Sequence, residues 1–441
     1  MNQSVVTSES ITIDPFISKI LQQRPTAPLE KLDEETAAWL SNLREQSASW
    51  VSRLKTPSKK HEEWRFTDIS ELLDLEIVPP QPTNLGEEAV DIIAEAQTTR
   101  LVFINGIYAA AVSNTTGLPA GIYVGNLTNL PEAYCKYFRP FLATQPDKEE
   151  IFTSLNTASI ADVAIIWAAP NAVVEKPIHL SFISLPGENV SFSQPRAWIV
   201  AEKNCKLKII EEYAGQSSYF TNAVTEIWLG ENAQINHTRI QQEADNAYHI
   251  GKTAVSQARN SHYTLTEINF GAKLSRHNPQ INQTGAQILT NLNGLTVANQ
   301  QQTSDTHSVI HLTQPHGTTN QLHKCIACDR AHTVFNGRVL VPQAAQMTNA
   351  AQLNRNLLLS NQARIDTKPE LQITADNVKC SHGATVSQLE AEEIFYLQSR
   401  GLTAANARNL LIDAFAAEII QRIPVKSLQS KITQALEEKT K

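Results

Sequence analysis

Cysteine and histidine are the residue types in this sequence best suited to bind a metal or a sulfur species, and they cluster at two places. The denser cluster runs His323-Lys-Cys325-Ile-Ala-Cys328-Asp-Arg-Ala-His332. Two thiols and two imidazoles so close together could bind zinc or iron tetrahedrally, and a Cys-x-x-Cys pair could also carry redox chemistry. A single Cys-x-x-Cys is a weak signal, because small thiols are also common buried residues of a β fold. A zinc or redox protein that uses these residues stays open as an alternative.

The second cluster is Lys379-Cys380-Ser-His382-Gly383, where a β-type pattern gives way to a helical one. Residues two apart on a strand share a face, so Cys380 and His382 could reach the same metal ion or sulfur species. We expect Gly383 to permit a sharp turn directly after them. On this interpretation the pair lies at the junction between a β domain and a helical tail.

The composition excludes several classes of protein. The chain has 441 residues and a net charge of −7, which argues against a broad nucleic-acid surface. Five cysteines do not make a disulfide framework, and the longest apolar run, 163–169, is far shorter than the roughly 20 residues that span a bilayer. Residues 1–14 lack the basic and apolar regions of a secretory signal. These features predict a cytoplasmic protein that contacts neither membrane nor nucleic acid.

Common enzyme signatures are missing from the sequence. It contains no Gly-x-x-x-x-Gly-Lys-Ser/Thr phosphate loop, no Gly-x-Ser-x-Gly elbow and no His-Glu-x-x-His pair. A carbohydrate-active β-helix enzyme is an alternative, but it would need clustered Asp, Lys and Arg in a groove. Between Ile281 and Cys328 the only charged residues are Asp305 and Lys324. We therefore expect a protein that is not an enzyme.

A faint internal repeat indicates how the middle of the chain is built. Short β-branched runs recur, each preceded by a polar turn and one small residue; these small residues are Cys205, Ala233, Ser261, Ala286 and Ala363. The first three intervals are 28, 28 and 25 residues. A turn followed by a small inward residue suits a stacked coil, in which each coil buries its apolar face against its neighbours. The repeat favours a β-solenoid over an irregular β-sandwich.

Both ends of the chain show helical patterns. Asp33 precedes a helical apolar pattern, a proline-rich stretch at 78–85 reads as a linker, and 101–108 reads as a hairpin around Asn105-Gly106. Near the other end, Ser387 and Glu390 fit a capping box and Gly401 fits a helix end.

A second C-terminal helix should follow. Thr403 fits its N-cap, with Ala407, Leu410, Leu411, Ala414 and Phe415 on one apolar side. A last short helix should follow Pro424. We predict an N-terminal helical domain with linker at 1–98, a β core at 99–385 and a C-terminal helical domain at 386–441.

Four segments resemble the SufB/SufD family: 63–67, 366–373, 376–385 and 394–401, the last reading Ile-Phe-Tyr-Leu-Gln-Ser-Arg-Gly. The resemblance extends over most of the chain. It implies a mostly β protein, a right-handed parallel β-helix flanked by N-terminal and C-terminal α-helical domains. It also implies a non-catalytic scaffold subunit of the SufBCD complex, which assembles iron–sulfur clusters.

Two departures favour the SufD branch of that family. SufB-type chains carry a functional cysteine where this chain has Asn354, and they read His-Glu-Ala-Thr where this chain reads His382-Gly383-Ala384-Thr385. The resemblance implies that His382 lies at an interface with SufB and contributes to cluster assembly, and that Cys380 is a matching neighbour.

The resemblance also implies the partners. These are SufB in a heterodimer, the ATPase SufC on the C-terminal helices, and a second copy when the chain is alone. No cofactor would be bound tightly, and a transient iron–sulfur cluster would form at the SufB interface.

Overall fold

The computed structural model describes residues 13–25, 31–79, 90–146, 148–185, 187 and 189–440. Most of the predicted linker at 78–85 and most of the N-terminal segment 1–14 lie outside these residues. The α-helices are α1 (Pro15–Gln22), α2 (Glu34–Val51), α3 (Ser70–Leu73), α4 (Glu132–Phe138), α5 (Ile151–Ala158), α6 (Ala391–Ser399), α7 (Ala404–Ile420) and α8 (Lys426–Lys439).

The strands fall into a short N-terminal set and a long regular set. The first set is β1 (Ile77–Val78), β2 (Arg100–Ile104), β3 (Ile107–Tyr108), β4 (Ile122–Asn126), β5 (Ala164–Ala168), β6 (Ile178–Ser184), β7 (Val190–Ser193) and β8 (Arg196–Ala201). The second set is β9 (Lys206–Gly215), β10 (Tyr219–Leu229), β11 (Gln234–Gln242), β12 (Tyr248–Gln257), β13 (His262–Asn269), β14 (Leu274–Gln283), β15 (Leu289–Ala298), β16 (Thr303–His311), β17 (Thr318–Ala327), β18 (His332–Val341), β19 (Asn349–Leu358), β20 (Arg364–Ile373) and β21 (Lys379–Gln388).

Successive strands alternate between two parallel sheets. From β8 onward the even-numbered strands form one sheet in the order β20-β18-β16-β14-β12-β10-β8, and the odd-numbered strands form the other. Each coil therefore contributes one strand to each sheet, which gives a parallel β-solenoid of about eight turns. The solenoid prediction is confirmed, and long antiparallel strands of a sandwich are not what the described residues form.

The turn chemistry of the repeat explains why the coils stack. Asn204, Asn232 and Asn260 adopt positive φ angles of 62°, 58° and 56°, a conformation that asparagine tolerates better than most residues. Their amides form a ladder: Asn260 Nδ2 donates to Asn232 Oδ1 at 2.7 Å, and Asn232 Nδ2 donates to Asn204 Oδ1 at 2.9 Å. Uncharged amides can stack in this way without electrostatic repulsion. The small residues that follow them, Cys205, Ala233 and Ser261, are fully buried, as predicted.

The two later members of the predicted repeat are wrong. His262 pairs with Leu289, so Ser261 corresponds to Ile288 and not to Ala286. Ala363 directly precedes β20, which belongs to the other sheet. The physical reason is that this coil is 27 residues long rather than 28, and Gln287 takes the positive φ in place of an asparagine.

The N-terminal region docks on the outer face of the solenoid. Asp33 caps α2 by accepting a hydrogen bond from the Thr36 backbone amide at 2.9 Å, as predicted. The predicted hairpin is confirmed as antiparallel β2 and β3. Arg276 lies over the Trp64 ring at 4.0 Å, and Thr67 Oγ1 donates to Asp305 Oδ2 at 2.6 Å.

The C-terminal helices differ in part from expectation. The capping box at Ser387 is wrong, because β21 stays paired with β19 through Gln388 and α6 has Glu390 at its N-cap without a side-chain bond. Thr403 caps α7 and Gly401 has a positive φ of 96°, both as expected.

The buried face of α7 agrees with the predicted one only in part. Ala407 is buried as predicted and Phe415 is partly buried, but Leu410 is exposed. The residues that pack on the solenoid are Ile412, Ala416, Ile419 and Ile420. Helix α7 has apolar residues on two sides, and the side that packs on the sheet is mainly the one that was not predicted. The predicted last helix is α8. No helix of the described residues is long and apolar enough to cross a membrane.

The fully buried small residues predict a steep cost for overfilling a coil. Ala233→Phe should lower the free energy of unfolding by about 1–3 kcal/mol or more, because the coil interior has no room for the ring. Gln234→Phe is the matched control on the same turn, at a partly exposed position of β11. It should change the free energy by roughly 0.5 kcal/mol or less. Equal costs in urea unfolding of the two variants would contradict the assigned interior.

Candidate functional site

The solenoid ends in an open coil that carries the second cysteine-histidine cluster. Within the described part of the chain, strands β20 and β21 each pair on one side only, with β18 and β19 respectively. Cys380 is in register with Ala350, and His382 with Gln352. Register partners in a parallel sheet point to the same face, and Ala350 and Gln352 are buried inside the coil. Cys380 and His382 therefore face the interior of the solenoid, here called the lumen, at its open end.

The two side chains share a face, as their spacing predicts, but their surroundings differ. Cys380 is half-buried and packs against the apolar side of the lumen, whereas His382 is exposed. Burial raises the pKa of the Cys380 thiol, so the free chain holds it protonated. Gly383 does not make the expected turn; it lies inside β21, which continues to Gln388. The pair thus occupies the middle of an edge strand rather than a β-to-helix junction.

The first cluster does not converge on one point. His323 stacks on Phe335 at 4.9 Å between ring centres in the lumen, and its Nε2 lies 3.1 Å from Thr296 Oγ1. His332 belongs to the opposite sheet, where its Nε2 lies 2.7 Å from Asp366 Oδ2.

The two thiols of that cluster also point to different places. Cys328 packs among residues of the C-terminal helices, whereas Cys325 is fully buried in the solenoid. Burial raises the pKa of Cys325 to about 12 and that of Cys328 to about 11, so neither is a reactive thiolate. The described part of the chain holds no group of three or more His, Cys, Asp or Glu residues arranged to bind a metal. The alternative metal site at His323, Cys325, Cys328 and His332 is therefore wrong.

Asn354 occupies the lumen one coil below the open end. It is fully buried, its Nδ2 donates to the carbonyl of His323 at 3.0 Å, and its Oδ1 accepts from Asn356 Nδ2 at 2.6 Å. An amide whose nitrogen and oxygen are both hydrogen-bonded cannot replace a thiolate as a nucleophile or a soft ligand. This chain therefore offers Cys380 and His382 at the open end, but no thiol at position 354.

A row of buried ionisable groups, which the sequence patterns did not indicate, runs along the lumen. Glu211 Oε2 lies 2.8 Å from His237 Nε2, and His237 Nδ1 lies 2.9 Å from the Tyr263 hydroxyl. Burial alone would raise the pKa of Glu211, but His237 and Arg239 beside it lower that pKa to about 2. Buried charges are tolerated here because each one has a partner on its own or an adjacent coil.

Arg239 connects this group to two further carboxylates. Its Nη2 lies 2.6 Å from His249 Nε2, and His249 Nδ1 lies 2.8 Å from Glu243 Oε2. On the other side, Arg239 Nη1 is 3.7 Å from Glu267 Oε1, which is 2.8 Å from His277 Nδ1. These groups are enclosed in the solenoid, so they do not form the open acidic groove that a carbohydrate-active enzyme needs.

The spacing of these buried ionisable groups was nevertheless visible in the sequence. Glu211, Arg239 and Glu267 are spaced by 28 residues, the same interval as Cys205, Ala233 and Ser261. The charges alternate in sign along the column, so each coil offsets the charge of the one below. Gly294 follows in that column, and a Cβ there would overlap the His323 ring, which therefore occupies the space of the missing side chain.

The fold is a parallel β-solenoid with helices at both ends of the chain, and its open end carries a cysteine-histidine pair. Residues 26–180 match the family model of the SufBD protein N-terminal region. Residues 183–415 match the model described as "SUF system FeS cluster assembly, SufBD core domain". The chain therefore belongs to the SufBD family, which confirms the resemblance found in the sequence.

Relatives with similar sequences agree with this membership. An iron–sulfur cluster assembly SufBD family protein of Synechocystis sp. is 48% identical over 394 residues, which cover 87% of each chain. The chloroplastic protein ABCI7 of Arabidopsis thaliana is 36% identical over 85% of this chain and 81% of its own. The iron–sulfur cluster assembly protein SufD of Escherichia coli is 28% identical over 85% of this chain and 87% of its own.

The buried lumen histidines predict a loss of stability in mild acid. Burial lowers the pKa of His323 from 6.5 to about 4. As the pH falls through this window, the unfolded chain binds a proton that the folded chain does not. The free energy of unfolding should then decrease by up to about 3 kcal/mol from this group. His323→Gln removes the titration and should flatten the dependence when urea unfolding is measured near neutral pH and near pH 4. Parallel pH profiles of the variant and the unmodified chain would contradict this assignment.

Proposed function

We propose that this chain is a non-catalytic, SufD-type scaffold subunit that pairs with SufB through the open end of its solenoid. One observation carries the proposal: among the described residues, nothing pairs with the outer edges of the two ten-residue strands around Cys380 and His382. Long unpaired edges are sites of further strand pairing. No residue of β20 or β21 is buried, although the preceding coils are closely packed. A partner solenoid that continues both sheets would cover this surface, and a second copy would occupy it when SufB is absent.

The same end supplies the chemistry for a transient cluster. Iron accepts neutral imidazole and thiolate as ligands, and both must be deprotonated to bind. His382 and Cys380 face the lumen at the seam, so their side chains would meet those of SufB across it. The iron–sulfur cluster is the product of the complex, and the remaining ligands would come from SufB. No tightly bound cofactor is proposed for the chain alone.

We propose a second docking surface on the C-terminal helices, for the ATPase SufC. Helix α6 has no buried residue, although it contains Phe395, Tyr396 and Leu397. Phe395 is 72% exposed, and Leu410 on the adjoining helix α7 is also exposed. A nine-residue helix is marginal in water without tertiary contacts, so this apolar surface fits a partner. ATP-driven closure of SufC would then move the scaffold and open the cluster site, while this chain contributes no step of ATP chemistry.

The site assignment is tested at His382. His382→Ala removes both ring nitrogens from an exposed position, so the fold should survive while cluster formation falls at least about tenfold. His382→Cys restores a soft ligand and should recover more activity than His382→Asn. The measurement is maturation of an iron–sulfur reporter enzyme in cells that depend on the Suf system, with the melting temperature of each variant.

Two controls make the His382 result specific. Ser381→Ala changes the neighbouring residue of β21, which faces away from the lumen, and should leave maturation unchanged. Cys328→Ser changes the buried thiol beside the C-terminal helices and should also have little effect. Full maturation by His382→Ala, or a loss that follows unfolding, would refute the ligand role.

The docking surface for SufC is tested at Phe395. Phe395→Glu places a charge in the exposed apolar patch and should weaken SufC binding at least about tenfold, as expected for an aromatic anchor. The binding of SufB should be unaffected, because β20 and β21 are unchanged. Ile107→Glu is the control, since Ile107 is an exposed apolar residue on the distant strand β3. Titration calorimetry with SufC that shows equal affinity for both variants would contradict this surface.

A further inference from the structure

The residue directly below His382 in the lumen is Gln352. It belongs to β19, is in register with His382 on β21, and is only 3% exposed. Adjacent strands of a sheet lie about 4.8 Å apart, so side chains of register partners on one face are in reach of each other. The coil that follows Gln352 is the last one, and it is the coil proposed to meet SufB.

The amide of Gln352 is held in one orientation. Its Nε2 donates to Gln321 Oε1 at 2.8 Å, and Gln321 Nε2 donates to Ser308 Oγ at 2.7 Å. Ser308 lies on the opposite sheet, so this chain of hydrogen bonds crosses the lumen. Gly337 leaves the space for it, because a Cβ there would overlap Gln352 Nε2. With the NH₂ group fixed in this way, the carbonyl oxygen has to point elsewhere.

That carbonyl oxygen is buried and has no hydrogen-bond partner. A buried acceptor without a donor is destabilising, so a donor is expected beside it. His382 is the register partner on the next coil, and its ring likewise has no hydrogen bond or ion pair in this structure. An unused buried acceptor and an unused imidazole therefore occupy adjacent positions of one lumen column.

Other lumen histidines show what such an arrangement does. His237 contacts the Tyr263 hydroxyl on the next coil through Nδ1 at 2.9 Å. His277 contacts Thr253 on the preceding coil through Nε2 at 2.9 Å, and His323 contacts Thr296 in the same way at 3.1 Å. In each case a side chain of an adjacent coil fixes the ring. His382 lies in the open coil, where its ring is free until a partner covers it.

We propose that Gln352 is a positioning residue for His382 in the assembled complex. When SufB closes the lumen, Gln352 Oε1 accepts a hydrogen bond from one ring N–H of His382. That bond selects a single neutral tautomer and leaves the lone pair of the other ring nitrogen directed at the seam, where it can bind iron. This inference rests on the proposed function of His382 and adds the group that orients it.

The test combines a spectroscopic readout with maturation. The complex with SufB is prepared with ¹⁵N-labelled histidine in this chain, and the His382 ring is assigned in solid-state NMR spectra by its loss in His382→Gln. The unmodified complex, before cluster loading, should show one neutral tautomer with one hydrogen-bonded ring nitrogen. Gln352→Leu removes the acceptor at similar volume and should give a mixture of tautomers, with maturation lowered about tenfold. Gln352→Glu keeps an acceptor and should keep a single hydrogen-bonded nitrogen.

The controls separate this inference from the proposed function. Thr319→Val alters a buried lumen residue one coil deeper, in the column below Cys380, and should change neither the spectrum nor maturation. A tautomer mixture in the unmodified complex overturns the inference even if Gln352→Leu fails to fold. Unchanged tautomer and maturation in Gln352→Leu, together with lost maturation in His382→Ala, also overturns it while the ligand role stands. Full maturation by His382→Ala refutes the ligand role itself.

Discussion

In-register stacking of parallel coils is the constraint on which the rest of this structure depends. From β10 onward each strand residue is in register with a residue 26 to 32 positions earlier, so chemistry is organised in columns. A column is stable if its residues are uncharged, as in the asparagine ladder. It is also stable if the charges of successive residues alternate in sign, as in Glu211, Arg239 and Glu267. The low charge of the middle of the chain follows from this rule, since like charges would repel at every coil.

Stacking is also the reason why we propose the open end of the solenoid as the place for function. Every inner coil satisfies its backbone groups and lumen side chains against two neighbours, whereas the last coil has only one. His382, Cys380 and the carbonyl of Gln352 lie at this surface, where a partner coil would complete the column. Among the described residues, the two sheets terminate at the other end in the antiparallel strands β3 and β4. The C-terminal helices pack on the outer face of the odd-numbered sheet, where α7 and α8 both contact β15.

The repeat in the sequence predicted the coils of the solenoid, but the sequence did not show which side chains point into the lumen. Cys205, Ala233 and Ser261 gave the coil length and the inward face. The column of Glu211, Arg239 and Glu267 has the same spacing, yet it could be placed in the lumen only once alternation along the strands was fixed by the register. A 27-residue coil shifted the repeat at Ile288. The capping box at Ser387 failed because pairing of β21 with β19 outweighed a local helix signal. The prediction that Cys380 and His382 share one face was correct, since two residues that are two apart on any strand share a face.

The most direct test of the account is hydrogen exchange of the free chain and of its complex with SufB. If the open coil is the interface, backbone amides of β20 and β21 that face away from β18 and β19 should exchange quickly in the free chain at dilutions at which it is monomeric. They should become strongly protected in the complex, with little change in β3 and β4. Protection confined to another surface, with the edges of β20 and β21 still exchanging quickly, would contradict the claim that the open end of the solenoid is where the partner binds.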